Sequence, residues 1–307
     1  MILDKKNRVD LFGGTVLLLF SGVLGLNQVL IKLVNEGLQP VFSAGLRSAV
    51  ALVFVLGYAL WRRKRLSIRD GSLVAGLVTG TLFATEFVFL FLALDYTTVT
   101  RVSIFFYSMP IWMTIGAHFF LPDQRMTATK LMGLLLAMAG VVWAFADRGT
   151  GGGSIVGDIL CTLGAICWAA IGLSARVSRL NRSTPEMQLI YQLAVSAVIL
   201  LPLSLFFGPL VRALELWHLG VFAFMTIGVV SVGFLVWFWV LSIYPASEVA
   251  SYSFLAPVFG VVFGWFILGE DLGVTIVGAL ALVSFGIVLI NRRPRDQSRA
   301  SLSVRSR

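Results

Sequence analysis

The stretch RVSIFFYSMPIW, residues 101–112, recurs as EVASYSFLAPVF, residues 248–259, at a constant offset of 147 residues. Pro110 and Pro257 occupy the same place in the two copies, and each lies near the middle of a long apolar run. A similarity between two distant parts of one chain predicts two copies of one structural unit. The fold is therefore expected to consist of two related halves.

Further features recur at nearly the same spacing and fix the extent of the halves. They are Pro40 with Pro185, Lys32 with Arg176, and Gly133 and Gly140 with Gly278 and Gly286. We place the repeats at 11–147 and 155–291, joined by the Gly-rich linker 148–154. A short N-terminal segment, 1–10, and a basic tail, 292–307, flank them.

The composition indicates that most of the surface is not in contact with water. Of 307 residues, 58% are hydrophobic and 13% are charged, with a mean hydropathy of +0.92, whereas about 25% of an ordinary soluble chain is charged. These values exclude a disordered chain and a soluble enzyme. The two cysteines, Cys161 and Cys167, are too few for a disulfide framework or a zinc cluster.

Apolar runs of membrane-spanning length recur along the whole chain. A hydrocarbon core about 30 Å thick requires about 20 helical residues, and continuous apolar runs indicate helices rather than barrel strands. We therefore predict an all-α integral membrane protein with ten transmembrane helices. The predicted spans are 11–33, 39–61, 71–94, 99–121, 128–147, 155–177, 185–207, 216–241, 247–268 and 273–291.

The positions of the basic residues predict the orientation. Nineteen of the 24 lysines and arginines fall between or at the ends of the predicted spans on one side, four fall on the other side, and only Arg47 lies well inside a span. Because basic residues are retained in the cytoplasm, both termini are expected to be cytoplasmic. The protein itself is expected in the cell (inner) membrane. The net charge of +9 then reflects topology and not a nucleic-acid-binding surface.

Each half holds an odd number of spans, five, so the second half must insert in the opposite sense to the first. Two inverted five-helix repeats around a central cavity are the architecture that exposes one site alternately to the two sides of a membrane.

The chain resembles the drug/metabolite transporter superfamily, and in particular its ten-span EamA-type carriers, over about residues 11–291. The features that carry the resemblance are the Tyr96…Pro110 and Tyr244…Pro257 segments, Leu46-Arg47, and the Gly-rich fifth and tenth spans. The resemblance implies a cavity lined by spans 1, 3, 4, 6, 8 and 9. It also implies export of a small metabolite such as an amino acid, and an aromatic amino acid exporter is the nearest substrate analogy.

The paired prolines are candidates for the binding site. A proline inside a helix removes one amide donor and frees the carbonyl four residues earlier, here those of Phe106 and Ser253. Such a carbonyl is tolerated at membrane depth when it faces protein or a wet cavity. Pro110 and Pro257 are therefore expected to line the cavity, and a kink that serves packing alone is the alternative.

Glu86 is the one acid deep within a predicted span, where a charge costs about 2.5–3.5 kcal/mol by insertion scales. Arg47 of the second span is expected at the same level. Two roles remain open: a structural Glu86–Arg47 ion pair between spans 2 and 3, or Glu86 as a site for a proton or a substrate amine.

Polar and aromatic side chains complete the set of candidate substrate-binding residues. Gln28 belongs to a polar stripe in the first span that is expected to turn away from lipid. Tyr107 and its repeat mate Phe254, together with Trp168, are placed to stack on a ligand; ordinary packing is the alternative for each.

These observations favour a secondary transporter that works by alternating access. We identify no catalytic residue, no metal site and no cofactor motif, so we do not expect an enzyme. The expected partners are a small-molecule substrate and the lipid bilayer, with coupling protons left open, no nucleic acid, and a monomeric state. The alternatives are a channel-like facilitator, an intramembrane enzyme, or a lipid factor on the same scaffold.

Overall fold

A computed structural model describes residues 9–64, 66–121, 126–146, 153–233, 236, 239–240, 243–244, 252 and 255–291, and the regular elements within them are helices. The α-helices are α1 (Leu11–Gly37), α2 (Pro40–Trp61), α3 (Leu73–Tyr96), α4 (Val99–Phe105), α5 (Met109–Phe120), α6 (Ala128–Ala146), α7 (Ile155–Val177), α8 (Pro185–Leu203), α9 (Leu216–Ala223), α10 (Leu255–Leu268) and α11 (Val274–Asn291). A 3₁₀ turn, Phe106–Ser108, joins α4 to α5, and a π-helix, Phe224–Val232, continues α9.

The helices confirm the prediction of an all-α membrane protein. Within the described ranges, eight helices are long and apolar enough to cross a bilayer, and they coincide with the first seven predicted spans and the last. The eighth and ninth predicted spans are represented by the shorter apolar segments Leu216–Val232 and Leu255–Leu268. The count of ten stays a prediction. Residues 1–8, most of the linker 148–154 and the tail 292–307 lie outside the described residues.

Matching caps start the second helix of each half. Pro40 and Pro185 each occupy the first turn, where the missing amide costs nothing because that amide has no partner within the helix. The residue before each proline caps the helix: the side chain of Gln39 accepts from the amide of Phe42, and that of Thr184 accepts from the amide of Met187. Corresponding residues thus produce the same local structure in both halves.

Glycines allow α6 and α11 to cross closely in opposite directions. A Cβ added at Gly133 would lie 2.7 Å from the carbonyl oxygen of Gly286, and one added at Gly140 would lie 2.7 Å from that of Ala279. The later residue of α6 thus meets the earlier residue of α11, so the two helices run antiparallel. Small residues at such crossings let helix backbones approach in a membrane.

The helices α2 and α8 form a second antiparallel pair. Their contact runs from Gln39, whose amide nitrogen donates to the carbonyl of Ser204 at 3.0 Å, to Ser48, whose hydroxyl lies 2.8 Å from that of Ser196. The helix α3 packs against α8 through Gly80, where an added Cβ would lie 2.6 Å from the side chain of Val195. These contacts leave a cavity at the centre of the bundle.

Candidate functional site

The bundle encloses a central cavity of about 760 Å³. Its wall is built from α1, α3, the α4–α5 helix, α7 and the π-helix, which contributes Val229 and Val230. Isolated π-helical turns occur frequently at functional sites. The charged and amide side chains in the wall are Asn27, Gln28, Arg47, Glu86, Lys130, Arg176, Gln192 and Asn291.

The cavity reaches one end of the bundle. Lys130 at the start of α6, the exposed Arg176 near the end of α7, and Asn291 at the end of α11 all line it there. In the other direction, the described lining residues stop at Gln28 in α1 and at Leu90 in α3. We call the Lys130 side the open end and the opposite side, where α1 finishes at Gly37, the closed end.

Arg47 is buried in the cavity wall with unsatisfied donors. The residue is 7% exposed, and its Nε and Nη1 atoms have no hydrogen-bond partner among the described residues. The guanidinium lies over the rings of Phe87 and Phe91, at 5.3 and 5.6 Å from their centroids. A buried charge is normally paired, so these two free donors mark a place where a ligand acceptor fits.

Glu86 lies in the same wall and is 5% exposed. It is close enough to attract Arg47 electrostatically, yet within the described part of the chain neither an ion pair nor a hydrogen bond joins the two side chains. The structure therefore brings these two candidate residues into one cavity without pairing them directly.

Amide groups on α1 add unpaired acceptors to the cavity wall. Gln28, a predicted site residue, is 2% exposed, and its Oε1 atom has no hydrogen-bond partner among the described residues. The same holds for Oδ1 of Asn27, which is 7% exposed. Buried acceptors without partners are costly, and a ligand that carries an N–H or ammonium group would satisfy them.

An aromatic wall faces these polar groups. The rings of Phe106 and Trp168 stack with centroids 5.1 Å apart and an interplanar angle of 18°. Tyr107 meets Trp168 edge-on at 6.2 Å, and its hydroxyl donates to the carbonyl of Leu24 at 3.1 Å. Two predicted site residues, Tyr107 and Trp168, thus line the cavity side by side. Phe254, the predicted mate of Tyr107, lies outside the described residues.

The two prolines occupy different positions relative to the cavity. Pro110 lines it, whereas Pro257 is buried and only its neighbour Ala256 is among the lining residues. The expectation that Pro110 frees the carbonyl of Phe106 is wrong, because the chain tightens into the 3₁₀ turn and the amide of Met109 donates to that carbonyl. The carbonyl of Ser253 lies outside the described residues.

Several lining residues were not predicted from the sequence. Asn27 and Phe106 are direct neighbours of the predicted residues Gln28 and Tyr107, and all four line the cavity. Lys130 was counted only toward the orientation, and Arg176 only toward the orientation and the match between the two halves. Among the described residues, no group of three His, Cys, Asp or Glu side chains is placed to hold a metal ion.

Comparison with known proteins agrees with this architecture. The chain is 25% identical over 272 residues to "Uncharacterized transporter YoaV" of Bacillus subtilis (strain 168), covering 87% of this chain and 92% of that protein. It is 27% identical over 286 residues to "Uncharacterized transporter YvbV" of the same organism, covering 91% and 92%. A protein of known crystal structure shares the fold with a TM-score of 0.64 at 20% identity, over 94% of this chain and 97% of that one.

The sequence model of one family matches both halves of the chain. The matched segments, residues 11–146 and 155–292, together include nearly all of the helices described above. The chain therefore belongs to the EamA-like transporter family, and it is a multi-pass membrane protein.

Proposed function

We propose that this protein is a secondary carrier that moves a small zwitterionic metabolite, such as an amino acid, across the membrane by alternating access. The observation that carries the proposal is the cavity open at one end, in which a buried guanidinium group, of Arg47, and a buried carboxyl group, of Glu86, face the same space without pairing. Together they match a ligand that bears both charges.

The packing of the helices supports two inverted five-helix repeats, which we place at 11–147 and 155–291. The pair α2 and α8 and the pair α6 and α11 each join corresponding helices of the two halves, and each pair runs antiparallel. A two-fold axis in the membrane plane relates corresponding helices in this way, as in other inverted-repeat carriers.

The proposed orientation assigns the open end to the cytoplasm. Lys130 and Arg176, which line the open end, belong to the segments that the distribution of basic residues places inside. The described conformation is then one that receives its substrate from the cytoplasm. This state fits export across a cell (inner) membrane.

The cavity wall supports a ligand with an apolar or aromatic body. A volume of about 760 Å³ lies within the range of about 300–1,000 Å³ for small-molecule sites. We place the carboxylate of the substrate on Nε and Nη1 of Arg47, its amine near Glu86 and the Gln28 amide oxygen, and its body against Trp168. A charge-assisted hydrogen bond is roughly twice as strong as a neutral one, so the two charged ends would orient the ligand.

A matched ligand series tests the proposal. Purified protein is melted in the presence of an aromatic amino acid, its amide without the carboxylate, and its deaminated acid, and the best ligand is then tested for saturable uptake into proteoliposomes. We expect the zwitterion to raise the melting temperature most. The Arg47→Gln variant should lose the distinction between the acid and the amide, while Arg62→Gln at the exposed end of α2 serves as the matched control.

Two outcomes would overturn parts of this proposal. Equal stabilisation by all three compounds would remove the role of Arg47 and Glu86 in charge recognition. Solute conductance that does not saturate would favour a channel-like facilitator, which needs a continuous polar path across the membrane.

A further inference from the structure

The start of α4, at the closed end, is held by a carboxylate from the segment that follows α10. The two oxygens of Glu270 accept from the amides of Val99 and Thr100 at 2.7 and 2.8 Å. The ammonium of Lys32, from α1, lies 3.7 Å from Oε1 of Glu270 and donates to the carbonyl of Thr97 at 2.6 Å. The start of α4, the side chain of Lys32 from α1 and the segment after α10 therefore meet at one carboxylate, whose side chain is 7% exposed.

The backbone after α10 is shaped to deliver this carboxylate. Gly269 adopts a φ of +66°, which favours glycine, and the amides of Gly269 and Glu270 donate back to the carbonyls of Trp265 and Gly264. A Cβ added at Gly264 would lie 2.7 Å from Oε2 of Glu270 and 3.3 Å from the side chain of Val99. Gly264 thus leaves room for both the carboxylate and the start of α4.

A second ion pair holds the same segment from the opposite side. Nε of Arg101 donates to Oδ1 of Asp158, near the start of α7, at 3.0 Å, and Nη2 donates to the carbonyl of Ala144 in α6 at 2.9 Å. Arg101 is 4% exposed and Asp158 is 1% exposed. The first turn of α4 is therefore tied to α1, α6, α7 and the segment after α10 through charged groups.

We propose that Lys32, Arg101, Asp158 and Glu270, gathered around the first turn of α4, form the gate that keeps the cavity shut at the closed end. We call these four residues the α4 clamp. The proposal rests on the carrier function proposed above. It adds that opening of the closed end requires release of α4 from Glu270 and Asp158.

Charged contacts are suited to a gate that must open and close. When such a contact separates, water replaces the lost hydrogen bonds, so the net cost of opening is small. Separation of an apolar contact would instead expose hydrophobic surface to water. The α4 clamp lies where the described cavity stops, which is where a reversible seal is needed.

The same helix connects the α4 clamp to the ligand site. Arg101 lies in the first turn of α4, and Phe106 and Tyr107 of the cavity wall follow five and six residues later. The 3₁₀ turn Phe106–Ser108 interrupts regular α-helical bonding at this point. A ligand that displaces Tyr107 therefore acts on the segment that Glu270 and Asp158 hold.

The test measures access to the cavity from each side of the membrane. A single cysteine replaces Leu90, the lining residue of α3 nearest the closed end, in a chain whose Cys161 and Cys167 are changed to alanine. A membrane-impermeant maleimide is then applied to either face. We expect Glu270→Gln to raise the labelling rate from the closed end about tenfold, the scale expected for loss of one charge-assisted hydrogen bond, and to lower it from the open end.

The exposed neighbour of Glu270 provides the matched control. Asp271→Asn removes a charge one position away, and we expect it to leave both labelling rates unchanged. The exchange variant Arg101→Asp with Asp158→Arg, which keeps a pair of opposite charges, should label from the closed end more slowly than Asp158→Asn alone. Melting temperatures of the same proteins show whether a variant is folded.

The outcomes separate this proposal from the carrier function. Equal labelling rates in Glu270→Gln and Asp271→Asn, with both proteins folded, would overturn the gate. Faster labelling from both faces at once would also overturn it. In alternating access, opening the closed end must reduce access from the open end. A labelling shift without saturable uptake of any compound would leave the gate in place and refute the carrier function instead.

Discussion

Replacing Arg47 with methionine should weaken ligand binding strongly while it changes the stability of the protein little. Two guanidinium donors, Nε and Nη1, have no hydrogen-bond partner among the described residues, so the unliganded protein loses no hydrogen bond from them. Methionine is unbranched and about as long as the arginine side chain up to Nε, and its thioether packs well on aromatic rings.

The size of each effect follows from the contacts. The cation–π contacts of Arg47 with Phe87 and Phe91 contribute about 0.5–2 kcal/mol, and sulfur–aromatic contacts of about 0.3–1.5 kcal/mol replace them. The net change in the free energy of unfolding should then be within about 1 kcal/mol. If Arg47 and Glu86 instead formed a buried ion pair, loss of Arg47 would cost about 3–5 kcal/mol of the free energy of unfolding. For the ligand, loss of hydrogen bonds from a charged group costs about 1.5–3 kcal/mol, or about tenfold to a hundredfold in affinity.

Melting of purified protein with and without ligand measures both quantities on one sample. We expect Arg47→Met to melt within a few degrees of the parent protein and to lose most of the stabilisation that the ligand provides. Strong destabilisation without ligand, together with an unchanged ligand-induced shift, would refute this reasoning. It would instead identify Arg47 as the structural partner of Glu86.

Three further predictions concern the site and the helix crossing. Glu86→Gln should flatten the dependence of uptake on pH, because an amide does not titrate, without lowering the amount of protein in the membrane; an unchanged pH profile with lost protein would indicate a structural role. Trp168→Ala should raise the apparent KM for aromatic substrates about tenfold, a loss of about 1.4 kcal/mol, and a similar rise for small aliphatic substrates would contradict stacking on the ring. Gly133→Leu should lower the melting temperature, because its Cβ would meet the backbone of α11 and overpacking costs about 1–3 kcal/mol, whereas Gly57→Leu, which faces open space, should not.

The sequence predicted the helices well because each span must satisfy its backbone internally in lipid. The helix α2 starts at Pro40, one residue after the predicted start of the second span. The helix α8 starts at Pro185, which is the predicted start of the seventh span. The eighth span begins at Leu216, as predicted, but its π-helical course, Phe224–Val232, could not be predicted because it leaves no mark in the hydropathy of the chain.

The sequence predicted several residues that line the cavity, but it did not predict the local backbone hydrogen bonds around Pro110. Sequence patterns proposed Glu86, Tyr107 and Gln28 as binding residues, and all three line the cavity. It did not predict that Met109 would satisfy the carbonyl of Phe106, because that depends on a local choice between α and 3₁₀ bonding.

The α4 clamp could not have been found from span counting. Arg101 and Glu270 lie at the ends of runs that are distant in sequence, and basic residues near span ends were interpreted only as signals of topology or of the internal repeat. Their contacts depend on how the helix ends meet at the closed end, and that geometry is visible only in the folded chain.

Counterflow in proteoliposomes tests alternating access most directly. Vesicles are loaded with excess unlabelled substrate, and entry of a trace of labelled substrate is followed without an ion gradient. In a carrier whose single cavity opens to one side at a time, the unlabelled substrate competes with the label for cavities that face the vesicle lumen and slows its exit, so we predict a transient accumulation of label above its outside concentration. Entry that only approaches the outside concentration, whatever is loaded inside, would contradict the account.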